Sequence, residues 1–440
     1  MTASRDVDRQ IVRVAIPAFF ALVTEPLMLL TDTAIVGHLG TPELGGLSAA
    51  SVVLGTVVGL CIFLAYGSTA VVARHHGAGD ERGAHGLAIS SLWLALLLGV
   101  VLALLTAATS GLLSGALSSS DRVGGLAQDY LVISALAVPA MLLILAATGA
   151  MRGVLDLRTP LIATIAANVV NVGLALLFVY GFDWGIRGAA SATVLAQWFA
   201  AIWLVLVVIR RARRAGASTH PRLAEITDSA RQGVPLLVRT LTLRASLVLG
   251  TLVAARLGDV PLAANQVAAA IVTFLAFGLD AIAIAGQTLT GRALGAGDAE
   301  GSRALTQRMI LWGIATGLVA AVALAATAAW LPQLFTSDRA VQDALVPALL
   351  VVAVIQPLSG VVFVLDGILI GAGDGAYLAK AGLVVLAAYA PLVLAVAWTD
   401  AGFTWLWVAY GGFIAARLAT LWWRQRGDAW MVLGSHRSAE

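Results

Sequence analysis

The chain reads twice. Residues 218 positions apart match without a gap across most of each half, and the matching residues are types that mark bends and loop ends rather than filler. Arg13 pairs with Arg231 and Pro17 with Pro235, while Leu39, Gly40 and Leu44 answer Leu257, Gly258 and Leu262. The stretch Arg74, Gly77, Ala78, Gly79, Asp80, Gly83 answers Arg292, Gly295, Ala296, Gly297, Asp298, Gly301. Further on, Pro139, Gly149, Gly153 and Asp156 meet Pro357, Gly367, Gly371 and Asp374. Any fold must therefore use one unit two times.

That unit belongs in a membrane. The chain is 60% hydrophobic and only 12% charged, with a mean hydropathy of +0.93, far outside the range of soluble domains. Runs long enough to cross about 30 Å of hydrocarbon fall at roughly 14–38, 45–73, 86–113, 125–150, 160–180, 188–209, 233–256, 262–291, 305–331, 341–371, 377–398 and 402–423. The expected fold is an all-α polytopic membrane protein of twelve transmembrane helices. Six spans per copy is an even number, so both copies start on the same side and form parallel repeats.

Positive charge sets the orientation. Twenty-one of the 27 lysines and arginines fall on one side, including Arg5, Arg9 and Arg13, the cluster Arg210, Arg211, Arg213, Arg214, and a tail group of Arg417, Arg424, Arg426 and Arg437. The opposite loops hold Arg122, Arg187, Arg256 and Arg339. Both termini are expected in the cytoplasm, with the protein in the plasma membrane (the cell inner membrane). The arginine-rich connection marks the boundary between an N-terminal lobe, 1–213, a cytoplasmic linker, 214–232, and a C-terminal lobe with its tail, 233–440. Its bland role is attraction to anionic membrane lipid. No aromatic interleaving accompanies it, so nucleic acid is not an expected partner.

Other chemistries find little support. Cys61 is alone, so an intramolecular disulfide is excluded. His75, His76 and His85 share one loop but read as interfacial polar residues, and no metal site is expected. The Gly-Ala-Gly-Asp motif at 77–80, 295–298 and 371–374 supplies a glycine to end one helix and an aspartate to cap the next. No Walker lysine follows it, which removes ATP coupling. An enzyme would need a convergent acid, base or metal set, and none is visible.

Charged groups inside the apolar runs are costly and therefore informative. Glu25 and Asp32 lie seven residues apart on nearly one face of the first span, with Pro26 between them and Pro17 below. Each proline removes a helical hydrogen bond, so the helix can bend there. The fifth span adds Asn168 and Asn171, and the sixth adds Thr193 and Gln197. Such residues serve either as interhelical glue or as partners of the acid. No cation lies within the first six spans to neutralise Asp32, so it can take a proton or a small cation. In the second copy Arg239, Arg244, Asp280 and Asp366 sum to zero charge. They read as a compensated structural or gating network rather than as direct substrate contacts. Met28, Phe63, Tyr66 and Met141 fit a promiscuous apolar cavity, although such residues more often pack or face lipid.

The first span, P-x8-P-L-x4-D-T-A-I-V-G-H-L-G, and the eighth, G-L-D-A-I-A-I-A-G-Q, resemble the MATE (multidrug and toxic compound extrusion) family, in particular its DinF-like bacterial branch. The resemblance covers residues 10–425 and includes A-N-x-x-N-x-x-L at 167–174, G-A-A-x-A-T at 188–193, L-R-A-S at 243–246 and D-G at 366–367. It implies two six-helix lobes around a central cavity and export of small amphipathic or cationic compounds by alternating access, driven by inward H+ or Na+. It also implies Asp32 as the coupling acid, Asn171 and Thr193 as its partners, and Pro17 as a hinge. One position departs: Ala175 stands where the family often has aspartate. The loss of that carboxylate favours H+ over Na+, since hard cations want several oxygen ligands; Glu25 is the acid left to replace it. The expectation is a monomeric antiporter with no cofactor beyond the coupling ion. The rival is a lipid-linked saccharide or lipid flippase of related fold, for which twelve spans and few buried arginines are a poor match.

Overall fold

The computed structural model describes residues 2–118, 120–399 and 401–435, apart from the side chains of residues 2–4 and Glu25. Among the described residues all regular structure is helical. The first copy holds α1 (Thr2–Gly37), α2 (Thr41–Leu60), α3 (Phe63–Gly77), α4 (Glu81–Leu117), α5 (Asp121–Ser134), α6 (Val138–Gly153), α7 (Arg158–Leu176) and α8 (Gly185–Arg214). The second holds α9 (Leu223–Leu257), α10 (Asp259–Gly295), α11 (Ala299–Thr327), α12 (Arg339–Gly371), α13 (Gly375–Thr399) and α14 (Phe403–Arg426). With α2–α3 and α5–α6 each taken as one span, these make six runs per copy. Length and apolar composition alone pick out ten runs, and the bent α5–α6 pair makes an eleventh. The twelfth, α14, is long enough, but Arg417 and its tryptophans dilute its hydropathy.

The duplicated motifs do the same work in both copies. Gly79 and Gly297 adopt φ values of 77° and 75°, and the aspartate after each accepts a hydrogen bond from the backbone N–H three residues on, at 2.8 Å in both cases. Helix contacts repeat as well. A Cβ on Gly149 would lie 2.4 Å from the Ala65 carbonyl oxygen, and one on Gly367 would lie 2.3 Å from that of Ala283, which is the repeat equivalent of Ala65. Gly99 and Gly317 press in the same way on Pro139 and Pro357, each within 2.7 Å of the proline Cα. These glycines are retained because backbone meets backbone there.

The copies differ in continuity. The second span of the first copy breaks at Cys61–Ile62 and the fourth breaks through a 3₁₀ turn at Ala135–Ala137, bending by 51°. Their equivalents, α10 and α12, run unbroken, α12 even through Pro347 and Pro357. The fifth span ends in a π-helical stretch, Leu177–Gly181.

The chain groups into two compact units, one of Phe20–Gly233 and one of the residues before Phe20 together with those from Val234 on. The division differs from boundaries at 213 and 233. The segment read as linker is helical from Leu223, and its residues up to Gly233 pack with the first unit. Trp93 Nε1 donates to the Thr219 carbonyl at 3.3 Å and Ser90 Oγ donates to Glu225 at 2.7 Å, docking the segment on α4. Residues preceding Phe20 pack in the other unit, where Arg308 and Trp312 of α11 both donate to Asp8. Each division point lies within three residues of a proline of the repeated pair, Pro17 or Pro235.

Candidate functional site

In the unit of Phe20–Gly233, α1, α7 and α8 bring Asp32, Asn171 and Thr193 together. Asn171 Nδ2 donates to Asp32 Oδ1 at 2.7 Å. Thr193 Oγ1 lies 3.4 Å from Asp32 Oδ2 but 3.1 Å from the Ala189 carbonyl, and its single proton serves one acceptor at a time. Asp32 is 4% exposed, and among the described residues no arginine, lysine or histidine forms an ion pair with it. Asn171 Oδ1 is buried with no hydrogen-bond partner. A buried carboxylate with one firm donor and no counter-charge is expensive, and it is relieved by taking up a proton or a cation.

The remaining expected residues divide. Asn168 donates to the Thr24 carbonyl at 2.8 Å, tying α7 to α1 two turns before the acid rather than touching it. The Glu25 side chain lies outside the described residues, as does Arg437. Pro17 and Pro26 both lie within α1, which is continuous across them. Ala175 is fully buried one turn after Asn171 and brings no oxygen. Tyr130 of α5 was not anticipated: it is buried beside Asp32, Thr193 and Ser134. A lone tyrosine in an apolar run gives no signal that separates it from packing.

The other unit contains a compensated centre. Asp366 of α12 accepts from Arg239 Nε at 3.1 Å and from Arg239 Nη2, and also from Arg417 Nη2 at 3.1 Å. The Arg417 guanidinium lies 5.7 Å from the ring centroids of both Phe363 and Phe413. Two corrections follow. Arg417 is not in the tail, because α14 continues to Arg426 and buries it, whereas a charge count assigns an arginine after an apolar run to the next loop. Arg244 is exposed and, among the described residues, forms no ion pair, whereas Arg239 and Asp366 of the expected set pair with each other and with Arg417. Asp280 is half-buried on α10.

The two centres are not repeat equivalents. Asp32, Asn171 and Thr193 correspond to Gly250, Tyr389 and Gly411, and a Cβ on Gly250 would meet the Tyr389 hydroxyl at 2.9 Å. The tyrosine thus reaches toward the place where the first copy keeps its acid. Of the apolar candidates, Met28 Sδ is 4.0 Å from Gln197 Nε2, Phe63 is buried against Gly233, and Tyr66 and Met141 are half-buried. His75 and His76 bond to Asp80 and Glu81, at 2.9 and 2.6 Å. Among the described residues no group of three or more metal-ligating side chains occurs.

Outside the apolar spans the copies agree again. Asp156 accepts from the Thr159 amide and hydroxyl and pairs with Arg211, in the last turn of the sixth run. Its equivalent Asp374 pairs with Arg424, in the last turn of the twelfth, at 2.7 Å. Burial works against the Asp156 charge, but these donors outweigh it and hold its carboxyl below the usual range.

Two copies of a six-span helical unit, with a buried lone acid in one and a buried ion-pair centre in the other, define a multi-pass membrane transporter. The comparisons make this specific. The MatE family model matches residues 17–177 and 235–399, one match per copy and each opening on a proline of the repeated pair, and the chain belongs to the MatE family. It is 30% identical over 441 residues to the DNA damage-inducible protein F of Escherichia coli, covering 97% of this chain and 94% of that one. It is 27% identical to Protein DETOXIFICATION 45, chloroplastic, of Arabidopsis thaliana, over 97% of this chain and 80% of the other. A Vibrio cholerae MATE transporter, VcmN, solved in a bent form, shares the fold with a TM-score of 0.88 at 21% identity, over 97% of this chain and 98% of that one.

Proposed function

We propose that the protein is a secondary antiporter of the cell inner membrane that exports amphipathic or cationic organic compounds by alternating access in exchange for inward H+. The observation that carries this reading is Asp32, buried with Asn171 and Thr193 and without an ion-pair partner among the described residues. A buried acid without a counter-ion is relieved by taking up the ion, and a conformation that changes its surroundings changes its affinity for that ion. H+ is favoured over Na+ because a proton needs one carboxylate oxygen. A hard cation needs several oxygens, and Ala175 withholds one set. The names of the relatives, which speak of detoxification, agree with an exporter. The arginine bias places both termini in the cytoplasm. Arg210, Arg213 and Arg214 at the end of α8 face anionic lipid, and the protein works as a monomer without a further cofactor.

The test is efflux of a fluorescent organic cation from proteoliposomes under an imposed pH gradient. Wild-type protein transports without Na+, and Asp32→Asn, which keeps the volume and removes the exchangeable proton, abolishes gradient-driven efflux. Strict Na+ dependence at constant pH overturns proton coupling. Wild-type rates from Asp32→Asn remove Asp32 from the role.

A further inference from the structure

The unit that carries the ion-pair centre also contains a cavity of about 280 Å³ that the coupling reading does not use. One wall is aromatic. Tyr389, Phe413, Tyr410 and Trp407 form a chain of ring contacts with centroids 5.2 to 5.6 Å apart, and Arg417 caps it by lying over Phe413 and Phe363. Two lining side chains leave a polar atom unsatisfied: Gln356 Oε1, an acceptor, and Trp407 Nε1, a donor, are buried without a hydrogen-bond partner. Gln356 is 4% and Trp407 6% exposed. Buried groups of this kind cost free energy unless something completes them. Arg417 is the one charged residue among those lining the cavity, and no carboxylate lines it.

We propose that this cavity is a binding site for uncharged planar aromatic molecules of about two fused rings that carry a hydrogen-bond donor and acceptor. The volume sets the size: an apolar cavity of roughly 150 Å³ holds a benzene, and this one is nearly twice as large. The aromatic wall sets the shape, since stacked and edge-on ring contacts reward a flat partner. Ligand binding turns the Gln356 amide and the Trp407 N–H, each shielded by its neighbours, toward the ligand's donor and acceptor. The charge class follows from the lining, where an organic cation would meet a guanidinium and find no acid. The site thus selects against organic cations.

The test is equilibrium dialysis of the full-length protein in lipid nanodiscs, with no gradient imposed, against 2-naphthol and 2-naphthylmethylammonium. 2-Naphthol binds saturably at one site. Gln356→Leu, which removes the amide, and Trp407→Phe, which removes the indole N–H with its ring, weaken it about tenfold, and Ala276→Trp, which fills the cavity, abolishes it. Melting temperature reports folding for each variant, and Gln356→Leu melts no lower than wild type because it deletes an unsatisfied acceptor. Asp32→Asn binds 2-naphthol as wild type does, so failure of the coupling reading and failure of this site are separable. Uptake equal to that of empty nanodiscs, equal in well-folded Gln356→Leu and Ala276→Trp, or as strong for the ammonium compound with the same dependence on variants, overturns the proposal.

Discussion

The two units begin from one sequence pattern and arrange their buried charge in opposite ways. The unit of Phe20–Gly233 buries Asp32 with hydrogen-bond partners but no counter-ion among the described residues. The other keeps Asp366 between Arg239 and Arg417. A buried acid without a counter-ion is destabilised in its charged form, whereas one held by two guanidiniums is compensated where it sits. Helix continuity follows the same division, with spans broken at Cys61–Ile62 and Ala135–Ala137 in the first unit and continuous in the second. The same repeated scaffold thus carries a buried acid without an ion pair among the described residues in one copy and a buried acid paired with two arginines in the other.

The largest effect that tests this contrast is on stability. Asp366→Asn leaves two buried guanidiniums without their acid and is expected to cost about 3–5 kcal/mol, read as a steep fall in melting temperature in nanodiscs. Asp32→Asn removes a buried charge that has no counter-ion and should change stability by less than about 1 kcal/mol. Similar losses in both would break the comparison. Restoration of the Asp366→Asn melting temperature by Arg417→Met, in a double-mutant cycle, would sharpen it by showing which guanidinium is left over.

A middle-sized effect tests what the copies share. Gly149→Ala and Gly367→Ala each push a methyl group against a carbonyl oxygen of a neighbouring helix, Ala65 or Ala283. Each should cost about 1–3 kcal/mol, and the two costs should agree. If only one variant is destabilised, the equivalence of the helix contacts is wrong.

The smallest effect is at the Asp156 clamp. Its folded pKa is lowered, so its contribution is present above the unfolded value of about 3.9 and is lost as pH falls through the lower folded value. Asp156→Asn should therefore lower the melting temperature slightly at pH 7 and have no effect near pH 2. A larger deficit at acid pH than at neutral pH would show that the Arg211 pair is not the source.

Much of this was legible because membrane sequences state their constraints openly. Spans must be long and apolar, bends need Gly or Pro, and an acid in an apolar run stands out, so Asp32 was legible from the residues, while its grouping with Asn171 and Thr193 came from the family resemblance. Arg417 was missed because an arginine near the end of a span looks like a loop residue until the helix is seen to continue. Arg244 was included because membership in an apolar run does not say which way a side chain faces. Tyr130 and the unsatisfied Gln356 and Trp407 carry no local signature at all.

The sequence by itself determined the duplication, the twelve spans, the capping turns and the presence of acid in the first span, since each depends on composition and on neighbours a few residues away. Only the tertiary structure decided which charges meet, which spans break, and where a cavity remains. Those depend on packing between helices 50 to 180 residues apart, as with Arg239, Asp366 and Arg417, which are brought together by three different spans. A single chain cannot show in its order of residues whether a helix face turns toward lipid or toward a partner, because both environments reward the same apolar side chains.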